Sequence, residues 1–428
     1  MGAIFTPDVQ IFFILLAALF FVISFFSPKV GLIIMTLAML FSPEIPIGAF
    51  EDRSIIIRVE DILIPILLLA WLAQLAVRRE FNILKITPLN RPIGLLFLLI
   101  LVSTVWGLMM GYCTFFKAFF YIFKTLEFFI IFFIVLNYIK DMSQIHFFLF
   151  FILLTAAFIG VYTLMQVPSA EIFSEHRITA PFEGTPESST IGGYMAFLIL
   201  LLFSIFLYES HKVKKWLCGL IAALTFIPFL YTFNRSSYIA LIGGVLVIAF
   251  LSRKKWLMIT VLLLAVSSPI WAPQGVKSRI AFTWEDAANP GRVLGVDASF
   301  QERIYSFKRM WNGFRFSPII GWGVGSFDYP DNQYARTLYE LGVIGLGIWL
   351  WIFLRLFKIS RWLFDALEPG TIKGLVLGYC AGILGILLHA CGSTTFYVVR
   401  IMEPFWFVSG LVVAVYVLKL QEDGHPTA

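Results

Sequence analysis

Thirteen apolar runs dominate this chain, near residues 9–27, 30–47, 56–77, 92–110, 117–138, 144–166, 190–209, 215–232, 236–251, 256–272, 334–357, 373–393 and 399–419. A helix rises about 1.5 Å per residue, so roughly 20 apolar residues match the hydrocarbon thickness of a bilayer. Thirteen such runs cannot all be buried in one soluble core. The composition agrees, with 60% hydrophobic and 14% charged residues, against about 25% charged in a soluble domain. A soluble enzyme on a single anchor is excluded. The pattern predicts an all-α polytopic integral membrane protein with 12–13 transmembrane helices, read as one membrane domain over residues 1–428. The second run is short and ends in Pro43 and Pro46, which reads as a partial or re-entrant span.

Other classes fall away on residue type. The first run, Val9 to Phe26, has no basic segment before it and no small-residue cleavage site after it, so it is not read as a removable signal. Cys113, Cys218, Cys380 and Cys391 lie in or beside apolar runs without CxxC spacing and read as buried, inert thiols. The five histidines show no metal-ligand pairing. The net charge of +6 sits at helix ends and forms no stripe, which excludes nucleic acid as a partner.

Loop charges orient the chain. Lys29, Arg78, Arg79, Lys85, Arg91, Lys140, Lys212, Lys214, Lys215, Arg253, Lys254, Lys255, Arg355, Lys358, Arg361, Lys373 and Lys419 fall on one side. Arg53, Arg58, Arg177, Arg235 and Arg400 fall on the other. Positive charge is retained on the cytoplasmic side, so the first set is internal. Two external connections are too long for simple turns, residues 167–189 and 273–333. The second, between about 273 and 330, carries an amphipathic stretch from Ser299 to Phe316. There Phe300, Ile304, Phe307, Trp311 and Phe314 recur at helical spacing, as in a helix lying on a membrane surface.

Ionisable groups at apolar depth are costly and point to function. Arg58 and Asp61 are spaced to pair on one helix face, as are Lys124 and Glu127, with Lys117 nearby. Lys124 reads either as part of a satisfied interior pair or as the wall of an anion-accepting cavity. On the external side, Arg177 precedes a Gly- and Pro-rich approach to the seventh run. Arg235, Ser236 and Ser237 open the ninth, where free N–H groups and the helix dipole favour an anion. Arg303 lies on the amphipathic stretch and Arg400 at the start of the last run. Four external arginines suggest an anionic ligand such as a lipid-linked phosphate. Gly321, Gly323 and Gly325 then give a flexible approach to Asp331, Asn332 and Gln333, which read as the cap of the next helix. Tyr334, Thr337 and Glu340 fall roughly on one face of it, and Glu340, about two turns below the surface, needs a cationic partner or water, with Arg235 or Arg400 the expected arginine. No internal repeat or broken midplane helix is read from the sequence, and this argues against a transporter such as a flippase.

In this order the motifs resemble the O-antigen ligase and polymerase superfamily of bacterial surface-polysaccharide assembly. The resemblance rests on Arg177 to Thr190, on Asn234-Arg235-Ser236, on Arg303 with Trp311, and on Glu340 with Gly342 and Gly345. The late RIMEPFWFVSGL stretch is similar to exopolysaccharide polymerases. One departure stands out: ligases of the family carry His-Asn where this chain has Asp331-Asn332. That change favours a polymerase over a lipid A-core ligase. The resemblance implies transfer of a glycan from undecaprenyl pyrophosphate to a sugar hydroxyl, with the lipid bilayer and lipid-linked donor and acceptor as partners. Chain-length regulator or flippase proteins would be its assembly partners. It implies a multi-pass protein of the bacterial inner membrane with its active site on the periplasmic side. Asp331, Arg177, Arg235 and Glu340 would be catalytic, and Arg303, Arg400, Lys124, Ser236 and Tyr334 would bind substrate. The external loops hold no DxD-like pair, so neither metal nor other cofactor is expected.

Overall fold

A computed structural model describes residues 7–50, 53–79, 84–167, 178–183, 187–271, 277, 298–327 and 332–423. Ten helices run in order: α1 (Pro7–Phe26), α2 (Pro28–Phe41), α3 (Val59–Arg78), α4 (Asn90–Met109), α5 (Phe115–Tyr138), α6 (Met142–Gln166), α7 (Ser188–Tyr208), α8 (Lys212–Leu230), α9 (Arg235–Ser252) and α10 (Lys255–Trp271). Then come α11 (Ala298–Phe314), α12 (Gln333–Ala366), α13 (Thr371–His389), a 3-10 turn (Thr395–Tyr397) and α14 (Val399–Glu422). Among the described residues, ten helices are long and apolar enough to cross a membrane. The protein is an all-α polytopic membrane protein, and α1, α2 and α10 supply the remaining apolar runs.

The second run is the partial span that its length suggested, not a re-entrant one. Its helix stops at Phe41, and the chain then forms a small antiparallel hairpin, β1 (Ile45–Phe50) with β2 (Arg53–Ile57), irregular between Pro46 and Gly48. Pro43 and Pro46 end the helix by removing N–H donors, but the chain turns into a hairpin and does not re-enter. Polar residues set other helix starts. Asp141 accepts the Gln144 N–H at 3.0 Å ahead of α6, and Asn234 accepts the Ser237 N–H at 2.9 Å ahead of α9.

Helices α7, α13 and α14 form the interior. Small residues allow the close approach: a side chain at Gly374 or Gly378 of α13 would stand 2.6 Å from the α7 backbone at Ile205 or Leu201. Lipid tails give no hydrophobic drive between helices, so such close backbone packing carries the association. On the other side α14 lies on α5, with Gly410 against Val135 and Phe132, and Trp406 contacts Phe129 and Phe132.

Helix α11 falls where the amphipathic pattern predicts it. Met310 packs with Phe327 and Ala335, and Gly313 meets the Tyr339 ring, so α11 docks on the start of α12. Phe307 and Trp311 remain 44% and 60% exposed, on the apolar stripe assigned to the membrane surface. The cysteines are free, but only Cys218 and Cys380 are buried; Cys113 is half-buried and Cys391 exposed. Cys391 lies in the connection after α13, outside the apolar packing that its run suggested.

Candidate functional site

Helix α12 is broken, contrary to the sequence reading. At Gly342 the backbone leaves helical geometry at φ 66° and ψ −168°. The groups released at the break are taken by residues 318–323, which run alongside. Trp322 and Gly323 donate their N–H groups to the carbonyls of Tyr339 and Glu340, both at 2.9 Å. Val343 in turn donates to Pro318 O at 2.9 Å and Ile344 to Ile319 O at 3.3 Å. A backbone break at membrane depth is tolerated only when its polar groups are satisfied within the protein. The glycines make this possible: Gly321, Gly323 and Gly325 all hold positive φ, and Gly323 lies against the α4 backbone at Thr104. Ser103 of α4 completes the contact, accepting from Gly323 N at 3.0 Å and donating to Glu340 O at 2.7 Å.

Glu340 ends this segment in a closed knot. It is fully buried, and its Oε1 accepts from Arg336 Nε and Gly325 N, each at 3.0 Å. Its Oε2 accepts the Tyr397 hydroxyl at 3.0 Å. The Arg336 guanidinium lies between two tyrosine faces, 4.3 Å from the Tyr121 ring centre and 3.8 Å from that of Tyr397. Arg336, one turn before Glu340, is therefore its cationic partner, and among the described residues no ion pair joins Glu340 to Arg235 or Arg400. The i, i+4 spacing of Arg336 and Glu340 was the readable signal.

Above this knot several helix ends gather. Asn332 caps α12, accepting the N–H groups of Tyr334 at 2.9 Å and Ala335 at 3.0 Å. Its amide donates to Cys391 O at 2.6 Å, and Gln333 N donates to Ala390 O at 3.0 Å, which binds the start of α12 to the end of α13. Tyr334 donates its hydroxyl to Leu387 O at 2.6 Å, so Tyr334, Thr337 and Glu340 do not act as one cluster. Ser189 at the start of α7 bonds Ser393 at 3.2 Å. Gly192 of α7 packs against Ser237 of α9, and Gly193 against His389 of α13. The starts of α7, α9 and α12 thus meet around the end of α13. Arg235 is the first residue of α9, and Ser236 and Ser237 beside it are buried. His389 is a buried external-side histidine that sequence reasoning missed; its Nδ1 bonds Thr395 Oγ1 at 2.8 Å.

A second polar group lies under the hairpin. Arg58 pairs with Glu44 at 2.6 Å, not with the Asp61 side chain, which instead accepts the Arg58 backbone N–H at 2.8 Å. Lys124 bonds Asp61 and stands 3.4 Å from Glu127, so the expected Lys124–Glu127 pair is present within a larger group. Glu60 and Glu403 are fully buried nearby. Arg400 donates to Pro181 O at 2.9 Å and Ser42 O at 3.4 Å, and stands 3.8 Å from Glu44. It ties the external segment 178–183 to the hairpin. In that segment Glu183 accepts from Ala180 N at 3.0 Å, and burial pushes its carboxyl up to about 7, against the pull of that bond and of Arg400.

Arg177 and Asp331 lie outside the described residues, as do His176 and the loop over 278–297. Arg303 falls on α11, with only its backbone described. Residues 220–350 match the family model described as O-antigen ligase. No curated protein matches the chain. The matched stretch holds the start of α9, helix α11, the glycine-rich segment and the break in α12.

Proposed function

We propose, from the match of residues 220–350 to the family model described as O-antigen ligase, that the protein is a metal-independent polysaccharide polymerase. It transfers an undecaprenyl-pyrophosphate-linked glycan to a sugar hydroxyl of a second lipid-linked unit, at the periplasmic face of the bacterial inner membrane. The observation that carries this reading is the gathering of the starts of α7, α9 and α12 at one external point, with Arg235 and Ser236 opening α9. Helix starts present free N–H groups and positive dipole ends to an anion.

In the reaction, the acceptor oxygen forms a bond to the anomeric carbon of the donor. The bond from that carbon to the phosphate oxygen breaks, and the lipid pyrophosphate leaves with the electron pair. Arg235, with Arg177 and Arg303 from the external segments, stabilises the charge that grows on the leaving group. Asp331 takes the acceptor proton. Asn332 caps α12. Glu340 acts as a positioning residue through Arg336 and the glycine-rich segment. Lys124, Arg400 and Tyr334 support the walls, since each is held by neighbouring protein groups. One observation favours a second reading: the matched family is described as O-antigen ligase, with a lipid or protein as acceptor.

The surface glycan of cells with and without the protein tests this directly. Loss of polymer with single units retained supports the polymerase. Polymer stranded on its lipid carrier indicates the ligase, and unchanged glycan ends both readings. In the same cells, Arg235→Ala should lower transfer about 10²- to 10³-fold, with partial recovery in Arg235→Lys. Asp331→Asn at normal abundance should abolish most of it; wild-type polymer length would remove Asp331 from the mechanism.

A further inference from the structure

Four carboxylates surround one lysine beneath the hairpin. Asp61 and Glu127 are engaged by Lys124. Glu60 and Glu403 are fully buried and, as for Glu127, neither oxygen of either has a hydrogen-bond partner among the described residues. The neighbouring arginines make their direct ion pairs with Glu44 and reach Glu60 and Glu403 only at longer range, so they offset these acids in part. Ionised together, these groups would carry a surplus of negative charge, which only protons or a bound cation can offset where an uncompensated charge costs several kcal/mol.

The surplus has a definite geometry. One oxygen from each of Glu60, Asp61 and Glu403 lies within 4.8 Å of the other two. Oxygens on opposite sides of a bound Ca²⁺ stand apart by twice the metal–oxygen distance of 2.3–2.6 Å, or about 5 Å. Glu60 and Asp61 are consecutive residues in the first turn of α3, and Glu403 enters from the second turn of α14. The three ligands thus come from two helices that the fold must bring together, and all lie near the external ends of those helices.

We propose that Glu60, Asp61 and Glu403 form a binding site for a calcium-sized divalent cation drawn from the external side. The ion joins α3 to α14 and offsets the charge that Lys124 leaves unmatched. Mg²⁺ fits less well, because it needs a shorter octahedral shell and dehydrates reluctantly. The site is separate from the external helix starts assigned to the donor.

Equilibrium dialysis of the full chain in detergent, stripped with chelator and returned to Ca²⁺, tests the site. The bound metal is counted by elemental analysis. One Ca²⁺ per chain is expected, with affinity lowered roughly 10- to 100-fold in Glu60→Gln and in Glu403→Gln. Asp365→Asn, in the exposed cytoplasmic-side pair with Arg361, serves as the control and should bind as the unaltered protein does. If Glu403→Gln does not yield folded protein, Glu403→Asp keeps the charge while shortening its reach, and should weaken binding. Absence of bound Ca²⁺ in the unaltered protein, or equal binding by all variants, overturns the proposal.

Discussion

The two buried polar groups of this protein hold similar residues and reach opposite outcomes. Around the break in α12, Glu340 meets Arg336, the Gly325 amide and the Tyr397 hydroxyl, so each of its oxygens is bonded. Beneath the hairpin, Glu60 and Glu403 meet other carboxylates and leave their oxygens unbonded. A buried charge is tolerable in either case only when something compensates it. In the first group the protein bonds both carboxylate oxygens and stacks Arg336 between two rings, leaving one guanidinium nitrogen without a partner among the described residues, so the knot is structural. In the second it supplies only part, which is what distinguishes a site from a strut.

The largest effect should come from opening the closed knot. Glu340→Ala would leave Arg336 buried without its partner, a change that costs about 3–5 kcal/mol. Thermal unfolding of the purified protein should show this as a large drop in Tm or as loss of folded material. Glu340→Gln can still accept from Gly325 and should lose less. An unchanged Tm in Glu340→Ala would mean that the knot holds nothing together.

Next is the backbone on which the knot rests. Gly342 stands at φ 66° with the Ile319 backbone against it, whereas a side chain at Gly347 of the same helix would meet nothing within 4 Å. Gly342→Ala should cost more than the roughly 1–2 kcal/mol of a left-handed L-residue, because it also collides. Gly347→Ala should gain about 0.5–1 kcal/mol from helix propensity. Similar Tm shifts in the two variants would show that the break is not strained as the dihedral implies.

In the open group the sign reverses. With chelator present, Glu403→Gln replaces a buried carboxyl whose oxygens accept no bond among the described residues, so stability should stay level or rise by about 1 kcal/mol. A loss as large as that of Glu340→Ala would show that Glu403 is already paired, and the contrast between the two groups would fail.

Hydropathy alone placed the apolar helices, and helical spacing placed α11, because burial in lipid is a local property of each run. The break in α12 was hidden because Glu340-Leu341-Gly342 continues the helical period, and only the distant segment 318–323 shows that the carbonyls are taken elsewhere. The acid cluster was hidden for a related reason. Glu60 and Glu403 are joined only by tertiary packing of α3 and α14 around α5, and no local pattern relates them. Arg235 and Ser236 were legible as a helix start, whereas Arg336 was passed over although its pairing with Glu340 is local.

The smallest effect concerns Glu183, which stands beside Arg400 where the external segment 178–183 meets the hairpin group. Its carboxyl is raised by burial to about 7 from an ordinary 4.5, with Glu44 and Glu187 adding to the rise and Arg400 opposing it. The folded segment therefore holds a proton that the opened segment releases. Its stability is greatest below the ordinary value, falls as pH rises from there to about 7, and is level above. Proteolysis or hydrogen exchange of residues 178–183 should accordingly quicken between pH 5 and pH 8. Glu183→Gln can still accept the Ala180 N–H but carries no titrating charge, so its exchange should lack this pH-dependent increase after correction for intrinsic chemistry. If both proteins respond to pH alike, Glu183 is balanced by Arg400, and the hairpin arginines belong with the matched group.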